Sequence, residues 1–125
     1  MKSILAVIGA IVVLVALFIY FATAGVVRAG DNFIGAIQKH DLPMARYMLA
    51  KDLLKETSEF RFEQEMKELG LTDVKSVSWS NRKTQNDNGL VSGTATTISG
   101  REFHIQMKFH KQDGVWKIGA IDTDN

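Results

Sequence analysis

The chain contains no cysteine, and its only proline is Pro43. Without thiols, disulfide bridges, thiolate metal centres and cysteine nucleophiles are all excluded. A dominant charge of one sign is also missing, since 15 lysines and arginines stand against 14 aspartates and glutamates, for a net charge of +1. A near-neutral, mixed surface lacks the basic footprint that is typical of nucleic-acid binding, so we expect no nucleic-acid partner.

What the chain has in abundance is apolar sequence at its start. Between Ser3 and Val27 no residue carries a charge. As a helix this run would measure roughly 37 Å at about 1.5 Å per residue, which exceeds a hydrocarbon core of about 30 Å. Phe18, Tyr20 and Phe21 lie near one end of it, where aromatic side chains favour a membrane interface. We therefore predict a single-pass signal-anchor in residues 1–28, followed by one domain in residues 29–125.

A cleaved signal peptide is the alternative, because Ala22 and Ala24 are small residues placed three and one before a cut at Gly25. The apolar stretch from Ile4 to Phe21 is longer than the usual signal-peptide core of about 7–15 residues, which favours an uncleaved anchor. Positive residues follow the run as well as precede it, but long domains cross largely regardless of charge. A short basic tail before an apolar helix is typical of a bacterial signal-anchor, so we predict the inner membrane, with the domain on the extracytoplasmic side.

Residues 29–125 have the pattern of an α+β domain in which two to three helices cover a sheet. We predict a first helix capped by Asp31 and ending near His40, with its inner face formed by Phe33, Ile34 and Ile37. A second helix follows over residues 41–56, with Pro43 in its first turn and a stripe of Ala45, Met48, Leu49 and Leu53. A third starts at Thr57 or Ser58, buries Phe62, Met66 and Leu69, and stops at Gly70.

The second half predicts a four-stranded antiparallel meander. Strict alternation over residues 101–111 places apolar side chains on one face and polar ones on the other. We predict further strands over residues 75–83, 90–98 and 115–122, with turns at 84–89, Ser99-Gly100 and Asp113-Gly114. Gly119 indicates a bulge, which turns Ile121 inward. The inward row reads Phe103, Ile105, Met107, Phe109, Trp116 and Ile118, with Val77 and Trp79 together on one side of the first strand.

Helices followed by a meander that ends in "DGVWKIGAI" resemble the cone-shaped nuclear transport factor 2-like and cystatin-like folds. The segments "IQKHDLPMARYMLA", "GLTDVKSVSWS" and "GLVSGTATTISG" also carry the resemblance, which covers about residues 31–122. More specifically, the chain resembles small membrane-anchored or secreted bacterial domains of that superfamily whose function is undescribed. The chain lacks the acidic and histidine residues that enzymes of the superfamily point into the cone. A weaker similarity is to membrane-tethered cytochrome oxidase assembly factors.

Candidate metal ligands are few. His104 and His110 share a strand face, but they are six residues apart, roughly 20 Å at about 3.4 Å per residue, and we expect both on the solvated side. Glu102 and His104 offer only two ligands, too few for a stable site. His40, Met44 and Met48 follow a spacing of four that suits Cu(I), although methionines at helical spacing are usually core residues. We predict no metal and no cofactor.

Candidates for catalysis are equally weak. Charges alternate along the third helix, in Glu59, Arg61, Glu63, Glu65, Lys67 and Glu68, which is typical of a solvated helix face. Ser92 and Ser99 lack a strand–elbow–helix context, and no glycine-rich phosphate loop precedes a helix. The inward row contains no proton donor, so only Arg46, Tyr47 and Arg101 are polar groups that could reach a pocket mouth.

These patterns favour a membrane-anchored, non-enzymatic domain that binds a membrane or envelope protein or a small apolar ligand. A cone-fold enzyme that processes a small molecule and a respiratory-complex (copper or haem-protein) assembly factor are the alternatives, and the oligomeric state stays open.

The anchor prediction is tested at the N-terminus of the mature chain. Mass spectrometry of the protein purified from membranes should find an uncleaved N-terminus, at Met1 or Lys2, because the apolar run is too long for a signal-peptide core. A mature chain that starts at Gly25 contradicts the prediction.

Overall fold

The computed structural model describes residues 23–125, in which four α-helices pack on a four-stranded antiparallel sheet. The helices are α1 (residues 23–38), α2 (Leu42–Tyr47), α3 (Lys51–Glu56) and α4 (Glu59–Glu68), followed by a 3₁₀ turn at Leu71–Asp73. The strands are β1 (Val74–Gln85), β2 (Asn88–Thr97), β3 (Glu102–Gln112) and β4 (Val115–Thr123), in the order β1-β2-β3-β4. The predicted α+β class and four-stranded meander are confirmed.

The predicted membrane anchor lies largely outside the described residues. Within residues 23–125, no helix is long and apolar enough to cross a membrane. The described end of the predicted segment packs into the domain: Val26 has no exposed surface and belongs to the core. The packed domain therefore includes residues that precede position 29.

Two tryptophans from the edge strands of the sheet hold α1 in place. A Cβ atom at Gly25 would lie 3.2 Å from Trp116 Nε1, and one at Gly30 would lie 3.1 Å from the Trp79 ring. The two glycines thus leave the room that the indole rings occupy. Trp79 Nε1 also donates a hydrogen bond of 2.7 Å to Asp31. The prediction that Asp31 caps the first helix is wrong, because the helix is already formed at residue 23.

The core lies between α1, α4 and the inner face of the sheet. Phe33, Ile34 and Ile37 are all buried, as predicted, and the ring of Phe33 meets that of Phe62 edge-on at 6.3 Å. Each such side chain contributes about 1.5–3 kcal/mol when fully buried. The buried side chains of the sheet are Val74, Val91, Ala95, Phe103, Ile105, Met107, Phe109 and Ile118.

The predicted second helix is interrupted in the middle, so the sheet is covered by four helices and not by two to three. The chain leaves the helical conformation after Met48 and bridges β4 at Leu49, with Ala50 N donating to Ile118 O at 2.7 Å and Ile118 N donating to Met48 O at 2.9 Å. These bonds satisfy backbone groups of an edge strand, which a continuous helix leaves unpaired. Leu49 is buried, as predicted. The prediction that it lies within a continuous helix is wrong.

Helix ends and turns follow their local residues. Asp41 accepts from Met44 N at the start of α2, Ser58 accepts from Arg61 N at the start of α4, and Gly70 ends α4 with φ of 80°. Asp113 and Gly114 both have positive φ in the β3–β4 turn, which suits a two-residue hairpin. These predicted boundaries are confirmed.

Gly119 forms the predicted bulge. Phe109 pairs with Ile118 and Lys108 pairs with Ala120, which leaves Gly119 as the extra residue. Beyond the bulge, Ile121 pairs with Met107 and packs against the core. A Cβ at Gly119 would meet the ring of His110, an exposed side chain that would have to turn away.

Gly93 is the glycine of the sheet where an added side chain would meet the backbone most closely. It lies opposite a bulge of β1 between Trp79 and Asn81, and a Cβ there would overlap the carbonyl oxygen of Ser78. We expect Gly93→Ala to lower the free energy of unfolding by roughly 2–4 kcal/mol, because backbone must move. Chemical unfolding measures this change.

Gly35→Ala is the matched control, because a Cβ at this helical glycine meets nothing within 4 Å. It should raise stability by about 0.4–1 kcal/mol. Equal effects of the two substitutions would contradict the close approach of β1 and β2.

Candidate functional site

Apolar side chains form the buried core between helices and sheet, and a cleft of about 260 Å³ remains between α3, α4 and β4, lined mostly by apolar residues with Glu65 among them. The predicted inward row is confirmed, with Trp116 half-buried and the other members buried. Among residues 23–125, the buried polar side chains are Thr23, Thr57 and Thr97, and each buried side-chain polar atom has a hydrogen-bond partner. No carboxylate or imidazole is among the buried side chains of residues 23–125.

The polar residues predicted near a pocket mouth have other positions. Arg46 donates to Thr57 O at 2.8 Å and to Leu54 O at 3.2 Å, so its guanidinium joins α2 to the chain around α3. Tyr47 is 67% exposed. Arg101 lies over the ring of Phe103 at 5.8 Å. The structure does not bring these side chains together around one cavity.

The outer face of the sheet carries a histidine–carboxylate pair. Asp124 accepts from the backbone N–H of His104 at 2.6 Å, and its second oxygen lies 3.0 Å from His104 Nδ1. The backbone hydrogen bond first, and the side-chain bond second, lower the pKa of Asp124. Sequence reasoning missed Asp124 because the last strand was predicted to end at residue 122. Gln106 pairs with Asp122, and continuing that register places Asp124 beside His104.

The remaining histidine candidates stay apart. His104 and His110 are exposed on the same side of β3, as predicted, and His110 Nδ1 contacts Asn88 Oδ1 at 2.9 Å. Glu102 pairs with Thr96 at the far end of the strand. Within the described part of the chain, no group of three histidine, aspartate or glutamate side chains is placed to hold a metal.

The His40, Met44 and Met48 stripe is broken. His40 lies before α2 with a positive φ of 58°. Met44 is about half exposed, whereas Met48 packs against the core. The three side chains therefore do not share one helix face, because α2 begins only after His40.

The charges of α4 lie on a solvated face, as predicted. Arg61 pairs with Glu65 at 3.0 Å, and Lys67 pairs with Glu63 at 3.5 Å, both at a spacing of four. Ser92 is inside β2, and Ser99 is in a turn where its hydroxyl contacts that of Thr97. Neither serine is at a strand–helix elbow.

A groove with apolar and charged side chains at its border lies between α2 and α4. It encloses about 390 Å³ and is lined by His40, Leu42, Pro43, Arg46, Glu59, Phe60, Phe62 and Glu63. Phe60 is 70% exposed at its edge, and Met44 and Tyr47 are exposed on α2. Aromatic residues, methionine and arginine are enriched in protein interfaces. Sequence reasoning did not select this surface, although Phe60 falls outside the predicted inner stripe of its helix.

Comparison with known proteins shows the fold alone. No protein-family model and no curated protein matches the sequence. A SEC-C motif-containing protein from Rhodopseudomonas palustris is similar in structure, with 12% identity, 70% of each chain covered and a TM-score of 0.57. The Rd1NTF2_05 chain carrying five substitutions shares 12% identity over 74% of this chain and 90% of its own, with a TM-score of 0.56. The fold is the nuclear transport factor 2-like (NTF2-like) cone.

The His104–Asp124 pair makes a prediction about pH. Because the folded pKa of Asp124 lies below its ordinary value of 3.8, its contribution to stability is present above that value and is lost as pH falls through the folded pKa. Carboxyl NMR titration of the chain in detergent micelles should give a midpoint below 3.8.

His104→Ala should raise this midpoint without restoring it fully, because the backbone N–H of residue 104 still donates. A full return to the ordinary value in His104→Ala would assign the whole shift to the imidazole and contradict the leading role of the backbone hydrogen bond.

Proposed function

We propose that this protein is a non-enzymatic binding domain, anchored in the bacterial inner membrane by one helix, whose α2–α4 groove binds a segment of a membrane or envelope protein. The observation that carries the proposal is the contrast between interior and surface. Apolar side chains form the buried core of the described residues, whereas Met44, Tyr47 and Phe60 are exposed on the two helices that border the groove.

The anchor is supported by the length of apolar sequence that precedes the packed domain. Residues 3–22 carry no charge. They would span roughly 30 Å as a helix, close to the thickness of the hydrocarbon core. A cut between Ala24 and Gly25 would fall inside α1, where Gly25 contacts Trp116 and Val26 is buried. The cut would also remove Thr23, which is buried at the described start of α1, so the packing favours an uncleaved chain. The orientation, with the domain on the extracytoplasmic side, is supported by the short basic tail before the apolar run.

The groove favours a partner that presents an apolar side chain next to a basic one. Phe60 and Pro43 provide apolar surface, and the carboxylates of Glu59 and Glu63 lie on the same border. The guanidinium of Arg46 donates to two backbone carbonyls and keeps its charge, so two carboxylates stand against one guanidinium at this border. Nothing in residues 23–125 favours the cone-fold enzyme or the assembly factor as strongly.

Photo-cross-linking in native membranes tests the proposal. A photoreactive side chain in place of Phe60 should form a protein cross-link that is competed by overexpressed unlabelled chain. The same group in place of Ile98, which is 76% exposed on the β2–β3 hairpin, is the matched control. The competing chain should lose its effect when it carries Phe60→Asp, because a charge in place of the ring removes apolar contact worth about 1.5–3 kcal/mol.

Equal cross-linking at the two positions, or full competition by the Phe60→Asp chain, contradicts the groove as the binding site. Thermal unfolding of the Phe60→Asp chain distinguishes lost binding from lost fold, and we expect little change because the ring is exposed.

A further inference from the structure

We propose that the hairpin end of the domain, defined as the β1–β2 and β3–β4 turns with Lys83, Lys108, Lys111, Val115, Trp116 and Lys117, lies against a bilayer and binds anionic phospholipid headgroups. This inference rests on the proposed membrane anchor and adds the orientation of the domain and the class of lipid that it contacts.

The chain enters the domain at this end. Gly25 in the first described turn of α1 contacts Trp116, which follows the β3–β4 turn. Val26 lies against Gly89, which follows the β1–β2 turn. The uncharged residues 3–22 immediately precede this point. If they cross a bilayer, the part of the domain nearest to its surface is the pair of turns beside Gly25 and Val26.

Charge is divided between the two ends of the sheet. The hairpin end carries four lysines, at positions 83, 108, 111 and 117, against two aspartates, Asp87 and Asp113. Asp113 in turn pairs with Lys51 at 3.3 Å. The opposite end carries the reverse excess, with Asp73, Glu102, Asp122 and Asp124 against Lys75 and Arg101. The sheet, with its turns, is therefore basic at the end where the chain enters the domain and acidic at the other end.

Two of the four lysines share a surface, whereas Lys117 Nζ donates to the backbone oxygen of Tyr47 at 3.0 Å. Lys83 and Lys108 line one depression of about 260 Å³ on the outer face of the sheet, together with His110 and Leu90. Both lysine side chains are exposed. Juxtamembrane lysines attract the negative surface of a bilayer, and the attraction falls off within a Debye length. The distance of the acidic end from the anchor then keeps like charges away from the headgroups.

Apolar and aromatic groups stand beside the lysines. Val115 is 53% exposed at the tip of the β3–β4 hairpin. Trp116 is half-buried, and Lys111 Nζ lies 5.4 Å from the centre of its ring. Tryptophan with a neighbouring lysine is a combination that suits the membrane–water interface. An anionic lipid surface accounts for the lysines, the exposed valine and the entry point of the chain together.

The absence of cysteine from the chain allows a site-specific test. The full chain carrying Val115→Cys is labelled with an environment-sensitive nitrobenzoxadiazole dye and reconstituted into phosphatidylcholine vesicles with or without phosphatidylglycerol. We expect dye emission to shift to the blue and rise about twofold when the anionic lipid is present, and to reverse at high salt. Ile98→Cys, at the opposite hairpin, carries the control label and should not respond.

Matched charge reversals identify the lysines. Lys83→Glu with Lys108→Glu should abolish the response at position 115. Lys39→Glu with Lys75→Glu makes the same charge change at the other end, where Gln38 bonds to the Lys75 carbonyl, and should leave the response intact. Circular dichroism of each variant verifies the fold.

Carbonate extraction of the same vesicles distinguishes this inference from the anchor on which it rests. A chain that resists extraction but gives equal emission in both lipids overturns the lipid contact and leaves the anchor standing. A chain that carbonate releases, but whose dye responds to phosphatidylglycerol, overturns the anchor and supports the lipid contact. Release without any response overturns both.

Discussion

The seating of α1 on the sheet is the contact on which the rest of the structure depends. Trp79 and Trp116 come from the two edge strands, and each ring occupies space left by a glycine of α1. Because both indoles meet the same helix, the helix ties together strands that do not pair with each other. The helix in turn carries Phe33, Ile34 and Ile37 into the core. Side chains larger than glycine at positions 25 and 30 would push α1 away from both tryptophans.

This contact also explains which parts of the fold the sequence could predict. Strict alternation in β3 and the turn residues Asp113 and Gly114 are local signals, and they gave correct faces and a correct hairpin. The start of α1 could not be predicted, because small residues in "TAGVVRAG" have the same composition as a signal-peptide cleavage site. Their role depends on tryptophans that are distant in the sequence. The break at residues 48–50 is likewise decided by backbone bonds to Ile118, which helical periodicity does not contain.

The candidate site also divides into features that local sequence predicts and features that depend on distant residues. Because the inward row of the sheet is apolar throughout, the sequence predicted an interior without a proton donor. It did not predict the His104–Asp124 pair, since Asp124 joins the sheet beyond the expected end of β4. It also did not predict the α2–α4 groove, which exists only because α2 ends at Tyr47 and α4 is packed beside it. Binding surfaces made from separate elements leave little trace in local sequence.

A cone whose core is packed with apolar side chains changes where function can be located. In an NTF2-like fold the space between helices and sheet is available for a ligand only where side chains leave it open. In this chain Phe33, Phe62 and Met107 are buried in that space, and a cleft of about 260 Å³ remains between α3, α4 and β4. Under the proposed function, recognition uses the outside of the domain, in the α2–α4 groove. If the hairpin end faces a bilayer, as we propose, the acidic end of the sheet points away from it. Contacts with Trp79 and Trp116 fix the direction of α1 within the domain and place its described N-terminal end beside the two hairpin turns.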